Sequence, residues 1–438
     1  KLSTLPTMLA QLLLLLAASL VAQLTLAPPC RRPGRTSVAE ARRRAPRAPA
    51  FRPGLERPKP TRMEELKDVM LVKKDSSFDD AAQWINQGGR AIVVDRWRDF
   101  EMCRKTLLKP LRQKPASAKD AERQRTLKKE LSDRLLGPVG YPGCIALEGA
   151  PAADFLQSLY GDLLENHSGE DQSEIAFALP SGVLLGLVNA WQYFQGGLRF
   201  PFLAPPRLKG PIRPFYGVYA YPHPVTHFEL LMEWLKNTTS PIRSALDLGT
   251  GCGVVALLLS VVLGSKPALV ASDVSVNAVY GAKEEMKRQG VQVEVIQADL
   301  FEGLGGRKFD LVVFNPPWLP LPQPSAGEPP RTKLDSGNFY PEDLFPRLFD
   351  GLPEVLNPGG TAVLLFSNHA LSRKYVEEHP FQAAMAGSKS KDRFRTRLFT
   401  RDFDLEGRRR RTGRPQVGVV DEEPRAELWE FQLEEATE

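Results

Sequence analysis

Residues that bind metals or form cross-links are scarce in this 438-residue chain, which has four cysteines and five histidines. Cys30, Cys103, Cys144 and Cys252 lie far apart, and none falls in a CxxC or Cys/His cluster. That scatter excludes a structural zinc and a disulfide framework and fits a reducing compartment. His223 and His227, in "YPHPVTHFELLMEWL", look like a metal pair but have no third ligand beside them, so no metal is expected. An evenly spread basic surface is also missing. The net charge is +6, but much of the excess precedes Arg62, outside the expected fold. The high isoelectric point is therefore a weak argument for nucleic acid.

The chain starts at Lys1 rather than Met and is read as a fragment. Its long uncharged run, "LAQLLLLLAASLVAQLTLA" (residues 9–27), reads as a signal-peptide core or a membrane helix of just sufficient length. "PPCRRPGRTSVAEARRRAPRAPAFRPGLERPKP" follows, rich in Arg and Pro, with Glu40 and Glu56 as its acids. The expected layout is a signal or transmembrane leader over 1–28 and a disordered targeting segment over 29–62. Together they resemble the bipartite leaders of algae with complex plastids. The rival is a signal anchor at 9–27 with a basic linker, which would give membrane contact through the leader alone.

What is present begins with 42% hydrophobic residues, ample for a core and, at this length, for two domains. Residues 63–200 are expected to form a helical accessory domain. "DFLQSLYGDLLEN" puts Phe155, Leu156, Leu159, Tyr160, Leu163 and Leu164 at helical spacing. "SGVLLGLVNAWQYF" is a helix or a buried strand, and "ASAKDAERQRTLKKELSDRLLG" is a charged helix stopped by Gly137-Pro138. The Pro-rich stretch "RFPFLAPPRLKGPIRPFYG" marks a boundary near 201–214, with a second domain over 205–438.

Beyond residue 240 short strands alternate with helices. "RSALDLGTG", "ALVASDVS", "VEVIQADLF", "FDLVVFNPPW" and "TAVLLFSN" are read as strands, and "AELWEFQL" as an edge strand. Such alternation predicts an α/β fold with a mostly parallel sheet covered on both faces and ligands at the carboxyl ends of its strands. The polar residues of interest fall at those ends. Asp247, Gly249, Gly251 and Gly253 form a DxGxGxG turn. The glycines let the backbone turn tightly and approach a ligand. The carboxylate would repel a pyrophosphate but suits an ammonium group. Asp273, about 20 residues past that turn, stands where an acid binds ribose hydroxyls. Asp299 closes the third strand, where a side-chain oxygen could accept from an exocyclic amine. An ammonium, a ribose and an adenine in a row describe S-adenosylmethionine.

The segment from Ser244 to about Asn368 resembles class I S-adenosylmethionine-dependent methyltransferases, which implies a Rossmann-like fold with a seven-stranded sheet. By that resemblance Asp247, Gly249, Thr250, Gly251 and Gly253 hold the methionine part, Asp273 the ribose and Asp299 the adenine.

The fourth strand ends in Asn315, Pro316, Pro317 and Trp318. The Asn315 side-chain carbonyl and the Pro316 peptide carbonyl are free of any helix, and together could accept both hydrogens of a planar –NH2 group beside the methyl. Such acceptors enrich a delocalised nitrogen as it attacks, and they strengthen in the transition state. Trp318 offers a face for stacking. The motif is similar to the (N/D)PP(Y/F/W) signature of amino-methyltransferases acting on adenine, cytosine or release-factor glutamine. Tyr or Phe is commoner than Trp in the adenine and glutamine enzymes. The region also looks like a branch of the release-factor glutamine methyltransferases with a methyltransferase small domain. That resemblance implies a release-factor-like protein substrate and places Asn315 against the cofactor as well. Nucleic acid is the alternative partner, through the basic stretches "KSKDRFRTRLFTR" and "GRRRRTGRP", otherwise read as solvated loops. An inactive methyltransferase-like binding protein is the third reading. A nicotinamide oxidoreductase fails on the glycine spacing.

Overall fold

The computed structural model describes residues 51–66, 68–113, 118–141, 143–164, 175–203, 206–219, 225–265, 267–321, 337, 339–403 and 424–434. The leader, residues 29–50 of the Arg/Pro-rich segment, His223 and the arginines at 408–411 and 414 lie outside the described residues. The chain divides into two compact units between Gln195 and Gly196.

The first unit runs β1 (Thr61–Arg62), β2 (Val69–Val72), α1 (Phe78–Asn86), β3 (Arg90–Val93), α2 (Trp97–Leu107), α3 (Ala118–Arg134), β4 (Leu135–Gly140), β5 (Cys144–Ile145), α4 (Phe155–Leu164), β6 (Ile175–Pro180) and α5 (Ser181–Gly196). Its strands form one sheet in the order β1-β6-β4-β3-β2, with β5 on β4. The expectation of a helical accessory domain is thus corrected. The helices are there, but so is a six-stranded sheet. Strands as short as "VMLV" and "RAIV" give too little alternation to stand apart from helical spacing. Gly137-Pro138, read as a helix stop, lies inside β4. Pairing with β3 reaches only Leu136, so the N–H that proline lacks is not needed on that side.

Residues 51–62 are also corrected, from disordered to placed. Arg57 grips the Asp162 carboxylate with both terminal nitrogens, donates to the Leu159 carbonyl at 2.6 Å and lies over the Tyr160 ring. The Tyr160 hydroxyl donates to the Pro58 carbonyl at 2.8 Å. These contacts anchor the segment to α4 without needing apolar periodicity of its own.

The second unit continues with α6 (Thr226–Asn237), β7 (Ser244–Leu248), α7 (Val254–Leu263), β8 (Ala268–Asp273), α8 (Val276–Gln289), β9 (Glu294–Gln297), β10 (Phe309–Phe314), β11 (Leu319–Pro320), β12 (Phe339–Tyr340), α9 (Leu344–Val355), β13 (Leu356–Ser367), α10 (His369–Ser372), α11 (Pro380–Gly387), β14 (Phe394–Asp402) and β15 (Arg425–Leu433). Seven strands form one sheet in the order β14-β15-β13-β10-β7-β8-β9. Neighbours from β13 to β9 pair in parallel, whereas β15 pairs antiparallel with both β13 and β14. β15 therefore runs against the other six, and the sheet is mostly parallel as expected.

Alternate residues feed two cores. Leu311 and Val313 of β10 join α6, α7 and α8 on one face, while Val312 and Phe314 join α9 and α11 on the other. Gly264 and Gly290, both with positive φ, cap α7 and α8.

Two boundaries differ from expectation. The Pro-rich stretch belongs to the second unit: Leu198 and Ile212 exchange backbone hydrogen bonds of 2.6 and 2.9 Å, and Phe200, Phe202 and Leu208 join its core. "AELWEFQL" is not an edge strand, because β14, drawn from the supposed loop "KSKDRFRTRLFTR", covers it. β14 escaped notice because its side chains beyond Phe394 are almost all exposed. In β15 the carboxylates Glu427 and Glu430 are each 2% exposed. Glu427 takes hydrogen bonds from His379 and Trp429, and Glu430 from Trp234 and Arg397.

Candidate functional site

The strand order reverses at β7. The chain moves outward through β8 and β9, then returns to place β10 on the other side. That reversal leaves a crevice at the carboxyl ends of β7 and β10, where ligands of open α/β sheets bind. The register fixes what faces it. Leu248 pairs with Phe314 on one side and with Ser272 on the other. Gly249 is thus flanked by Asn315 and Asp273, which stand two strand spacings apart, about 10 Å.

The Gly turn begins there. Gly249, Gly251 and Gly253 all have positive φ (66°, 54° and 85°), a region costly for L-residues. A Cβ on Gly249 would come within 2.8 Å of the Phe314 ring. A Cβ on Gly251 would project into space with only the Tyr219 carbonyl 4.0 Å away. That open cradle lies just before the N-terminus of α7, whose unpaired N–H groups carry partial positive charge.

Asp247 was expected to face the cofactor's ammonium group. The structure gives it a different first task. It is 1% exposed, and its Oδ2 accepts from the Thr250 hydroxyl at 2.6 Å and the Ala256 N–H at 2.9 Å. It ties the two ends of the glycine turn together. Burial pushes its carboxyl up to about 7, against those two hydrogen bonds.

Asp273 ends β8 as expected. Its Oδ2 accepts from the Gly251 N–H and its Oδ1 from the Ser275 N–H, both at 2.9 Å. Burial raises its carboxyl despite these bonds. The acid that would bind ribose therefore also aims the loop. Asp299 lies two residues beyond the end of β9, exposed, with Arg347 Nη2 of α9 3.1 Å from its Oδ2. The next residue, Leu300, holds φ 49°, a left-handed turn at a buried leucine. Neither that turn nor the role of Arg347 is legible in the sequence.

Asn315 follows β10 directly. Its Oδ1 is buried and has no hydrogen-bond partner. Such an acceptor costs about 1–3 kcal/mol unless something supplies a donor. Pro316 and Pro317 follow in irregular backbone before Trp318. The chain then resumes as β11, paired with β12. Trp318 stacks on Phe403 (centroids 6.1 Å, 27°) and meets His227 edge to face (5.0 Å, 80°). From the sequence, His227 reads as part of a helix start and as half of an incomplete metal pair.

The turn, the acids at successive strand ends and the unpartnered acceptor fit a cofactor with a cationic centre, a ribose and an amine-bearing ring. Among the described residues, no group of three His, Cys, Asp or Glu is placed to hold a metal.

Residues 212–320 match the family model of the methyltransferase small domain. A release factor glutamine methyltransferase of Geobacter sulfurreducens is 33% identical over 138 residues, covering 30% of this chain and 48% of its own. A putative protein N5-glutamine methyltransferase of Methanocaldococcus jannaschii is 31% identical over 126 residues, covering 29% of this chain and 62% of its own. The methyltransferase HEMK2 of Homo sapiens is 28% identical over 127 residues, covering 28% of this chain and 59% of its own. The chain thus spans about half to three fifths of the length of these relatives.

Proposed function

We propose that this chain, a class I methyltransferase of the superfamily carrying the methyltransferase small domain, methylates a planar –NH2 nitrogen, most specifically the side-chain amide of a protein glutamine. The observation that carries the reading is the buried, unpartnered Oδ1 of Asn315 at the switch point of the sheet. An acceptor left without a donor is what a primary amide would complete.

S-adenosylmethionine supplies, when bound, an electrophilic methyl group on a sulfonium. Gly249, Thr250, Gly251 and Gly253 would hold its methionine part, Asp273 its ribose and Asp299 its adenine. Asp247 acts one step back, by holding the turn that carries them. Asn315 Oδ1 and the Pro316 carbonyl accept the two amide hydrogens and orient the nitrogen lone pair. Their pull grows as the nitrogen gains positive charge, so they lower the barrier more than they strengthen binding. No strong base is required, because the proton becomes acidic once the nitrogen is methylated. Trp318 gives the flat acceptor a face to lie on.

Protein is favoured over nucleic acid by the glutamine named for two of the relatives and by two of the three arginines of β14. Arg397 pairs with Glu430, and Arg401 with Glu233 and Glu229, which leaves them poorly suited to collecting phosphates. Delivery to a plastid by residues 1–62 is part of the same reading. A fluorescent fusion of that segment tests it, and retention in the secretory membranes would overturn it.

The main test is incubation of the full chain with methyl-labelled S-adenosylmethionine and a cell extract split into protein and RNA. Label in protein, lost in Asn315→Ala, supports the glutamine reading. Label in RNA moves the acceptor to adenine. Label in neither, with cofactor bound, refutes methylation of both.

A further inference from the structure

We propose that His227 belongs to the acceptor site, where its ring nitrogen Nδ1 hydrogen-bonds the oxygen of the incoming glutamine amide. The inference rests on the glutamine reading above and adds the partner for the one amide atom that reading leaves unmatched. Asn315 and Pro316 take the two hydrogens. The amide oxygen then needs a donor, and a neutral imidazole has one ring N–H to give.

Three observations converge on His227. It is the second residue of α6 and 5% exposed. Its Nδ1 is buried and has no hydrogen-bond partner. Its ring meets Trp318, three residues after Asn315, at 5.0 Å and 80°. A phenyl ring would make the same edge-to-face contact without the cost of an unsatisfied nitrogen. Asn315 Oδ1 and His227 Nδ1 are thus two buried, unpartnered atoms, the first three residues before Trp318 in the chain and the second on a ring packed against it; with its proton on Nδ1, His227 is a donor to match the Asn315 acceptor. A primary amide is complementary to that pair. Ser272 and Tyr340 also carry buried oxygens without partners, but the contact with Trp318 singles out His227.

Burial pushes the His227 ring down to about 3, so it is neutral throughout the physiological range. Neutrality suits the place. An imidazolium here would repel a sulfonium cofactor, and Trp318 and Phe228, the rings packed on His227, carry no compensating charge.

The test uses the full chain, a glutamine-containing peptide, and two variants. His227→Phe keeps the ring contact and removes the nitrogen. His227→Asn places an amide N–H near the Nδ1 position. Expected are a fall of about 10- to 100-fold in kcat/KM for His227→Phe, an S-adenosylmethionine Kd within about twofold of wild type, and substantial recovery in His227→Asn. A second readout does not need turnover: the 15N shift of the His227 ring on adding peptide with S-adenosylhomocysteine. Wild-type methylation with an unchanged kcat/KM in His227→Phe overturns the His227 role and leaves the glutamine reading standing. No methylation, but a peptide-induced 15N shift, overturns the reading and supports the His227 contact. Neither methylation nor shift overturns both.

Discussion

Replacing Asn315 by alanine should cost catalysis heavily and stability hardly at all. Most buried polar side chains contribute to folding through a hydrogen bond, and truncating them destabilises. The Asn315 Oδ1 makes none, so in the free protein it is a desolvated acceptor worth about 1–3 kcal/mol against the fold. Truncation relieves that penalty and loses a few packing contacts of similar worth. The net change in unfolding free energy should fall within about 1 kcal/mol, with a bias toward stabilisation. Catalysis is the opposite case. Removing one acceptor whose bond strengthens in the transition state should lower kcat by about 10²–10³, the scale for deleting a single such group. Cofactor affinity should stay within about threefold, since the glycine turn and Asp273 are untouched. Denaturant unfolding, calorimetric titration of S-adenosylmethionine and single-turnover methylation measure the three quantities. Unchanged turnover would refute the role outright. A loss of more than about 3 kcal/mol of stability with parallel loss of cofactor binding would show that Asn315 holds the strand end.

The remaining tests address the cofactor side. Asp273→Ala should weaken S-adenosylmethionine binding by about 10- to 100-fold, much more than Asn315→Ala, because it removes a carboxylate and frees the Gly251 N–H; equal effects would exclude the ribose assignment. Gly249→Ala, forced to φ 66° and against Phe314, should cost about 1–2 kcal/mol from backbone strain alone, read as a lowered midpoint, and an unshifted midpoint would show that the turn relaxes. Asp247 sets a pH dependence. Its carboxyl is raised to about 7 in the fold, above the roughly 3.9 of an unfolded aspartate. The folded state therefore binds more protons in between, and its stability declines as pH rises from about 4 to 7, by a few kcal/mol at most. The unfolding midpoint of the cofactor-free protein should drop more between pH 5 and 8 than that of Asp247→Asn. Identical slopes would show that Asp247 is ionised throughout.

The second unit was legible because its central strands are buried on both faces and read as unbroken apolar runs. Against such runs Asp273, Asn315 and the glycine turn stand out as polar residues with nowhere to be except the strand ends. The caps at Gly264 and Gly290 are glycines for a physical reason as well, since both hold a positive φ. What stayed hidden depends on contacts distant in sequence. The short strands β2 and β3 exist because they lie side by side, not because four residues prefer that shape. The bracing role of Asp247 depends on where Thr250 and Ala256 turn back, so a carboxylate that looked poised for a ligand is largely spent on the loop. His227 carries no pattern at all. Its interest comes from a nitrogen left without a partner and a tryptophan 91 positions on, neither of which spacing can encode.

The reversed strand β15 sets the order in which the second unit can be completed during synthesis. β14 leaves the ribosome before β15, yet β15 is its partner in the sheet, and β13 waits for the same strand to cover its free side. Until the residues from Arg425 onward emerge, the twelve-residue β13, with its apolar run Ala362–Phe366, stands with one hydrogen-bonding edge open, the geometry that invites pairing with another chain. A chain halted before Arg425 should aggregate rather than stay in solution as a weakened fold, although the glycine turn and the Asn315–Trp318 stretch are already in place.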